Sequence, residues 1–176
     1  MINFLVLLGL ISILASFFTG TLLQQGKFQG AQDAQLAART IRYNLTSHLQ
    51  NDQAWLNTIN DVSNTSLECL RNGVSCPLTV NPIAHIKNAA DANAVDSATG
   101  QGFNMNGAPC TGYVAGGNPE CPFRVEVSWQ PTCTGVCVNP PMVKLIVKVL
   151  YSTAADKGHI FNASKHDFTI ERSSLK

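Results

Sequence analysis

Met1 to Leu23, MINFLVLLGLISILASFFTGTLL, carries no ionisable side chain and no proline, and no other stretch narrows the choice of fold so far. As a helix, its 23 residues at about 1.5 Å each extend about 35 Å, against about 30 Å for the hydrocarbon core of a bilayer. Apolar residues fall on every side, so the surroundings of such a helix must be lipid or other helices. The sequence therefore predicts a transmembrane anchor over residues 1–23. A secretory signal peptide is the rival reading, but it needs a basic start, a shorter apolar run and a small-residue cleavage site. The other rival is a hydrophobic hairpin inside a soluble protein, where uncharged runs of this length are uncommon.

With 176 residues in all and the first sixty or so assigned to helix, about 115 remain for one modest globular domain. Charged residues make up 13% of the chain and the formal net charge is +1, which gives no electrostatic case for nucleic acid or an acidic substrate. Six cysteines, Cys69, Cys76, Cys110, Cys121, Cys133 and Cys137, all follow the anchor. Their even number, in a region dense with Pro, Gly and Asn, points to disulfides and an oxidising compartment. Lys27, Arg39 and Arg42 follow the apolar run while no basic residue precedes it, and the positive-inside tendency would then leave the C-terminal side cytoplasmic. The cysteines are the stronger signal, because three scattered basic residues set topology weakly.

From Gln24 to about Asn60, apolar Ile41, Leu45, Leu49, Leu56 and Ile59 recur at helical steps and predict an amphipathic continuation of the same helix. Gly20, Gly26 and Gly30 each cost about 1 kcal/mol against Ala, so bending is expected there. The polar run Asn60 to Thr65 ends the helix. Cys76 to Pro122 reads as a long connection, with a short helix expected over residues 83–94, where Ala residues cluster, and turn chemistry throughout GQGFNMNGAPCTGYVAGGNPECP.

Three later stretches alternate with the period of a half-buried strand. Phe123, Val125, Val127 and Trp129 share one face; Val143, Leu145, Val147, Val149 and Tyr151 share another; Phe168 and Ile170 mark a third over residues 167–172. No helical pattern separates them, so an antiparallel meander is expected, with its apolar face on the stripe of Ile41, Leu45 and Leu49. The expected class is α+β: a transmembrane-plus-amphipathic helix (1–23 and 24–60) packed on a small antiparallel sheet in a disulfide-bearing head (61–176).

In this light the chain resembles the type IV pilins and pseudopilins. The most specific local match is Leu10-Ile11-Ser12-Ile13-Leu14-Ala15-Ser16, which is similar to the Ile-Ile-Gly-Ile-Leu-Ala-Ala run of pilin anchors and lays Met1-Ile2-Asn3 onto the family's Leu-Ile-Glu. The match covers the first sixteen residues; beyond them the agreement is architectural, with the Cys-Pro-Phe-Arg start at Cys121 and the Cys133 and Cys137 loop similar to some bacterial pilin-like proteins. The resemblance implies a single-pass inner-membrane protein with a periplasmic head that enters a surface filament. It implies that Met1, Ile2, Asn3, Phe4, Leu5, Gly9, Ile13, Leu14 and Ala15 act in anchoring and assembly. The implied partners are other pilin-like subunits through the N-terminal helix, an inner-membrane assembly platform and membrane lipid. Two features depart from the family: the short basic leader is missing before Met1, and Asn3 stands where the family has Glu. Asn can hydrogen-bond a neighbouring amine but cannot neutralise it, which favours a minor, initiating or tip component. An upstream leader with a start codon before Met1 is also expected.

Other patterns are weaker. Cys133 and Cys137 with His159 and His166 could be written as a zinc set, but their spacing is loose and an extracytoplasmic chain favours disulfides. Sequential pairing, Cys69 with Cys76, Cys110 with Cys121 and Cys133 with Cys137, is the expected choice among fifteen. Asp156 and Asp167 lack a calcium-loop pattern. His48 lies alone on the helix, and no nucleophile sits in a recognisable elbow. Asn44, Asn64 and Asn162 begin glycosylation sequons, and Gly9 and Gly20 would let helices approach closely. The expectation is a non-enzymatic structural subunit without cofactor; the alternative is a bitopic envelope protein whose head binds a ligand or partner and never polymerises.

Overall fold

A computed structural model describes residues 2–97, 100–152 and 161–174. In helix α1, Ile2–Gln50, the side chains of residues 2–11, 13, 14, 23 and 27 lie outside the description. Helix α2 is Asp52–Asn60 and a short helix α3 is Glu68–Asn72, preceded by a 3₁₀ turn at Thr65–Leu67. Eight strands follow: β1 Asn81–Ile83, β2 His85–Lys87, β3 Asn93–Asp96, β4 Gly102–Phe103, β5 Pro109–Cys110, β6 Phe123–Pro131, β7 Met142–Tyr151 and β8 Phe168–Ser173. The main sheet runs β5-β4-β6-β7-β8 with β1 also on β6, and β2 and β3 form a separate hairpin. Every pairing is antiparallel.

One expectation is corrected at the outset. Among the described residues no helix is long and apolar enough to cross a membrane, so the transmembrane half of the expected architecture does not stand. The described part of the apolar run is short, is interrupted by Ser12, Ser16, Thr19 and Thr21, and passes into Gln24 and Gln25. What remains is an α+β chain in which a long helix continues beyond the head.

The alternating strands sit where the alternation placed them. Along β6 the residues Phe123, Val125, Val127 and Trp129 are buried, along β7 Val143, Leu145, Val147 and Val149, and along β8 Phe168 and Ile170. The register sets Val125 opposite Val149, Val127 opposite Val147 and Trp129 opposite Leu145, so the apolar side chains of neighbouring strands meet on one face. That face lies on Ala34, Ala37, Ala38, Ile41, Leu45 and Leu49 of α1, all at most 1% exposed, in a single core. Small residues at 34, 37 and 38 let other segments come close. The turn between β4 and β5 uses Gly107, at φ +75°, where a Cβ would stand 2.9 Å from Thr40 Cγ2.

The helix does not run unbroken to Asn60, and it does not melt at its glycines. The backbone stays helical through Gly20, Gly26 and Gly30, because a long hydrogen-bonded ladder tolerates single residues of low propensity. It breaks at Asn51, whose extended backbone (φ −74°, ψ 124°) ends α1 and whose side chain accepts from Ala54 N, capping α2. The break resets the helical phase. Leu56, expected on the buried stripe, is only half-buried, while Ala54, Trp55, Thr58 and Ile59 turn inward.

The helix expected over 83–94 is instead the β2–β3 hairpin. Asn88 builds its turn by accepting from Ala90 N and Ala92 N, and Asp91 adopts φ 62°; Asn and Asp favour such conformations, and the Ala residues occupy the turn itself. Ile86 and Val95 are the buried pair across the hairpin. Asn64, 1% exposed, then joins hairpin to helix: its amide donates to Thr58 O and His85 O, and its carbonyl accepts from Ala84 N and His85 N.

Two measurements check this packing. Leu45→Asp buries a carboxylate among apolar neighbours and should lower the unfolding free energy by at least about 3 kcal/mol, whereas Lys148→Ala, exposed on the opposite sheet face, should stay within about 0.5 kcal/mol; equal denaturation midpoints would refute it. Arg172 donates to Leu49 O at 2.5 Å, to Asn51 O at 3.4 Å and to Asp52 Oδ1 at 2.9 Å. Arg172→Met should cost about 2 kcal/mol or more, the scale of a charged hydrogen bond, and Glu171→Ala, its exposed neighbour, should cost little.

Candidate assembly surface

Up to Gln29, every described side chain of α1 is exposed, and burial begins at Gly30 and Ala31. Phe17, Phe18, Leu22 and Phe28 are 71%, 68%, 64% and 72% exposed, so large apolar side chains stand in solvent with nothing of the head against them. The hydroxyls among them turn inward to the helix. Ser16 donates to Ser12 O, Thr19 to Ala15 O and Thr21 to Phe17 O, which satisfies these groups within the helix and lets this polar-looking stretch enter an apolar environment.

Beyond the exposed polar stretch of Gln24, Gln25, Gln29, Gln32 and Asp33, two more large apolar side chains are exposed along the head. Leu36 is 65% and Tyr43 76% exposed. At 3.6 residues per turn, Phe18, Leu22, Leu36 and Tyr43 fall on one face of α1, opposite the buried stripe of Ile41, Leu45 and Leu49. Sequence reading assigned the inward stripe and passed over this outward one. Its signal was available, since Leu36 and Tyr43 are the large side chains left over once the inward positions are taken.

Of the residues assigned to assembly by resemblance, Ala15 is exposed on this surface. Met1 and the side chains of Ile2, Asn3, Phe4, Leu5, Gly9, Ile13 and Leu14 lie outside the described residues. A Cβ at Gly20 would meet nothing within 4 Å, so the helix-packing role suggested for it has no neighbour within this chain.

The cysteines pair as Cys69 with Cys76, Cys110 with Cys121 and Cys133 with Cys137, at Cα separations of 5.1, 5.8 and 5.8 Å. Cys133 and Cys137 are thereby committed, and no cluster of metal-ligating side chains occurs among the described residues; His159 lies outside them. Asp156 likewise lies outside, and Asp167 accepts from Val149 N instead of facing a cation loop. Of the sequons, Asn44 is exposed, Asn64 is buried with its carboxamide fully engaged, and Asn162 caps the 3₁₀ turn Ala163–His166. His48 lines a cleft between α1 and the β2–β3 hairpin with Asn44, Asn88 and Asn93.

A cluster of charged side chains lies where α2 meets that hairpin. Asp61 Oδ2 stands 3.1 Å from His85 Nδ1 and 3.4 Å from Lys87 Nζ, and His85 Nε2 is 3.4 Å from Asp96 Oδ1. Burial pushes the Asp61 carboxyl up, but hydrogen bonds from Ser63 and His85 and the charge of Lys87 outweigh it, and the group ends below its ordinary value of 3.8. Each partner belongs to the helix-to-hairpin joint, and the cluster holds two pieces of the head together.

The chain matches no protein family model, no curated protein and no solved structure.

A carboxyl depressed in the folded state binds fewer protons there than when unfolded, so its stabilisation is complete above the unfolded value and is lost as pH falls through the folded one. Wild-type melting temperature should therefore fall on acidification below pH 3.8. Asp61→Asn should be less stable at neutral pH and lose less across that window. Parallel melting curves for the two proteins from pH 7 to pH 2 would refute the assignment.

Proposed function

We propose that this chain is a non-enzymatic structural subunit of a filament of the type IV pilus or type II secretion kind, in which α1 packs against the same helix of neighbouring subunits. The observation that carries the reading is the group of exposed apolar side chains on the first half of α1, Phe17, Phe18 and Leu22. A cluster of exposed large apolar side chains marks an interaction surface, and a helix whose hydroxyls bond its own carbonyls is suited to burial among other helices. The three disulfides support an oxidising, extracytoplasmic location for the head. Asn3, uncharged where the pilin pattern has Glu, supports a minor, initiating or tip position over the bulk of a filament. The assembly platform and ATPase of such systems are the partners this reading implies.

Leu22→Asp and Leu36→Asp place a carboxylate on the outward face without touching the core. Each should lower recovery of the chain in sheared filament fractions by about tenfold or more, the effect of about 1.4 kcal/mol at a contact, while head melting temperature stays unchanged. Failure of the unaltered chain to enter any filament fraction, with all copies remaining cell-associated, would overturn the reading and favour an envelope protein that does not polymerise.

A further inference from the structure

The end of the head farthest from the free half of α1 carries a second apolar surface. Its position follows from the packing: Gly107 lies against Thr40, Arg42 over Phe168, and Arg172 at Leu49 O, so β8 runs from its start to its end as α1 runs toward Gln50. Arg172 pairs with Val143, and the β6–β7 loop, residues 132–141, together with the flanking strand residues Pro131 and Met142, therefore caps that end. Residues 73–80, between α3 and β1, lie beside it. The two loops are joined by a bridge between Ser75 and Val138, by Cys76 N donating to Cys137 O at 2.8 Å and by Gln130 donating to Leu78 O at 2.9 Å.

This apex exposes Val74, Leu78, Val80, Val136, Val138 and Met142 at 52%, 44%, 53%, 83%, 50% and 38%. Residues 73–80 and 131–142 contain no ionisable side chain. Two disulfides, Cys69–Cys76 and Cys133–Cys137, and the hydrogen bonds from Ser174 to Pro140 and Pro141 hold the loops, so little conformational freedom remains to be lost on docking. The sides of the head differ: Asp91, Glu120, Glu126, Lys148, Lys165 and Glu171 are exposed there.

We propose that this apex docks on the exposed first half of α1, about Phe17 to Gly26, of a second copy of the chain. Residues 12–26 of α1 also contain no ionisable side chain, so the two surfaces match in character and neither desolvates a charge when they meet. They lie at opposite ends of the structure, joined through α1. A contact between unlike surfaces at opposite ends is heterologous, and it propagates into an open polymer where a like-with-like contact would close a dimer. This inference rests on the filament reading and adds the surface and the partner.

The test uses full-length chain, a mixture of isotopically light and heavy copies, with the photoreactive residue p-benzoylphenylalanine in place of Val136. Adducts in filament fractions should join the 131–142 loop of one copy to residues 15–29 of the other isotopic form. Adducts joining two apex loops, or joining the apex to a different protein, overturn the inference while leaving the filament reading intact; absence of any filament fraction overturns the filament reading itself. As a second measure, Val136→Asp should reduce filament recovery about tenfold with unchanged head melting temperature, while Lys148→Ala, exposed midway along β7 opposite Glu126, should leave recovery at the wild-type level. Equal recovery of Val136→Asp and wild type would refute the docking.

Discussion

Arg172 holds the fold closed. It lies on the last strand, is 7% exposed, and reaches more than a hundred residues back to the point where α1 ends, bonding Leu49 O, Asn51 O and Asp52 Oδ1. The final carbonyls of a helix have no partner within it, and buried beside a sheet they cannot turn to water. A guanidinium supplies several donors from one planar group and suits the negative end of the helix dipole. Its own burial is unfavourable: loss of solvent lowers its pKa, Asp52 opposes the shift, and the Trp55 ring lies 5.2 Å below it. Arg71 treats α2 in the same way, donating to Ile59 O and Asp61 O. The ends of α1 and α2 are thus each closed by an arginine brought from a later element, whereas α3 ends on the left-handed Gly73.

That dependence explains what could be read from the chain. The strands were legible because burial on one face of a sheet imposes a strict period of two, and Phe123, Val125, Val127 and Trp129 have no other arrangement that hides all four. The buried stripe of Ile41, Leu45 and Leu49 was legible for the same reason at a period of 3.6. The break at Asn51 was not, because an Asn within an apolar-periodic run reads as an exposed helical position; its local capping bond to Ala54 N and the long-range bonds of Arg172 to Leu49 O and Asn51 O show only in the fold. Leu56 was misplaced as a consequence, since one residue out of the helix rotates everything beyond it.

The hairpin of β2 and β3 was hidden differently. Ala residues near 89–94 carry high helix propensity, but propensity is weak beside turn chemistry and tertiary burial. Asn88 bonds its own turn, Asn64 supplies partners for Ala84 and His85, and Thr58 accepts from Lys87 N at 2.9 Å. None of these acts locally enough to register as a strand pattern. Of the assembly surface, the apolar character of the first half of α1 was plain in the residues. Its outward continuation through Leu36 and Tyr43 emerged only once the inward face had been assigned by packing.

A helix that belongs half to the head and half to something outside it has to satisfy two demands at once. Within the head it carries Ala34, Ala37 and Ala38, small enough for another segment to approach, and then Ile41, Leu45 and Leu49 to fill the sheet concavity. Before Gly30 no such division exists, and large apolar side chains point outward together. The head therefore gains its stability without drawing on that first half: the sheet register, the Asn64 joint and the Arg172 closure all lie at or beyond Ala34. Separation of this kind leaves the first half of α1 without a structural duty in the head, so a change in what covers its apolar side chains leaves the sheet register and the Arg172 closure in place.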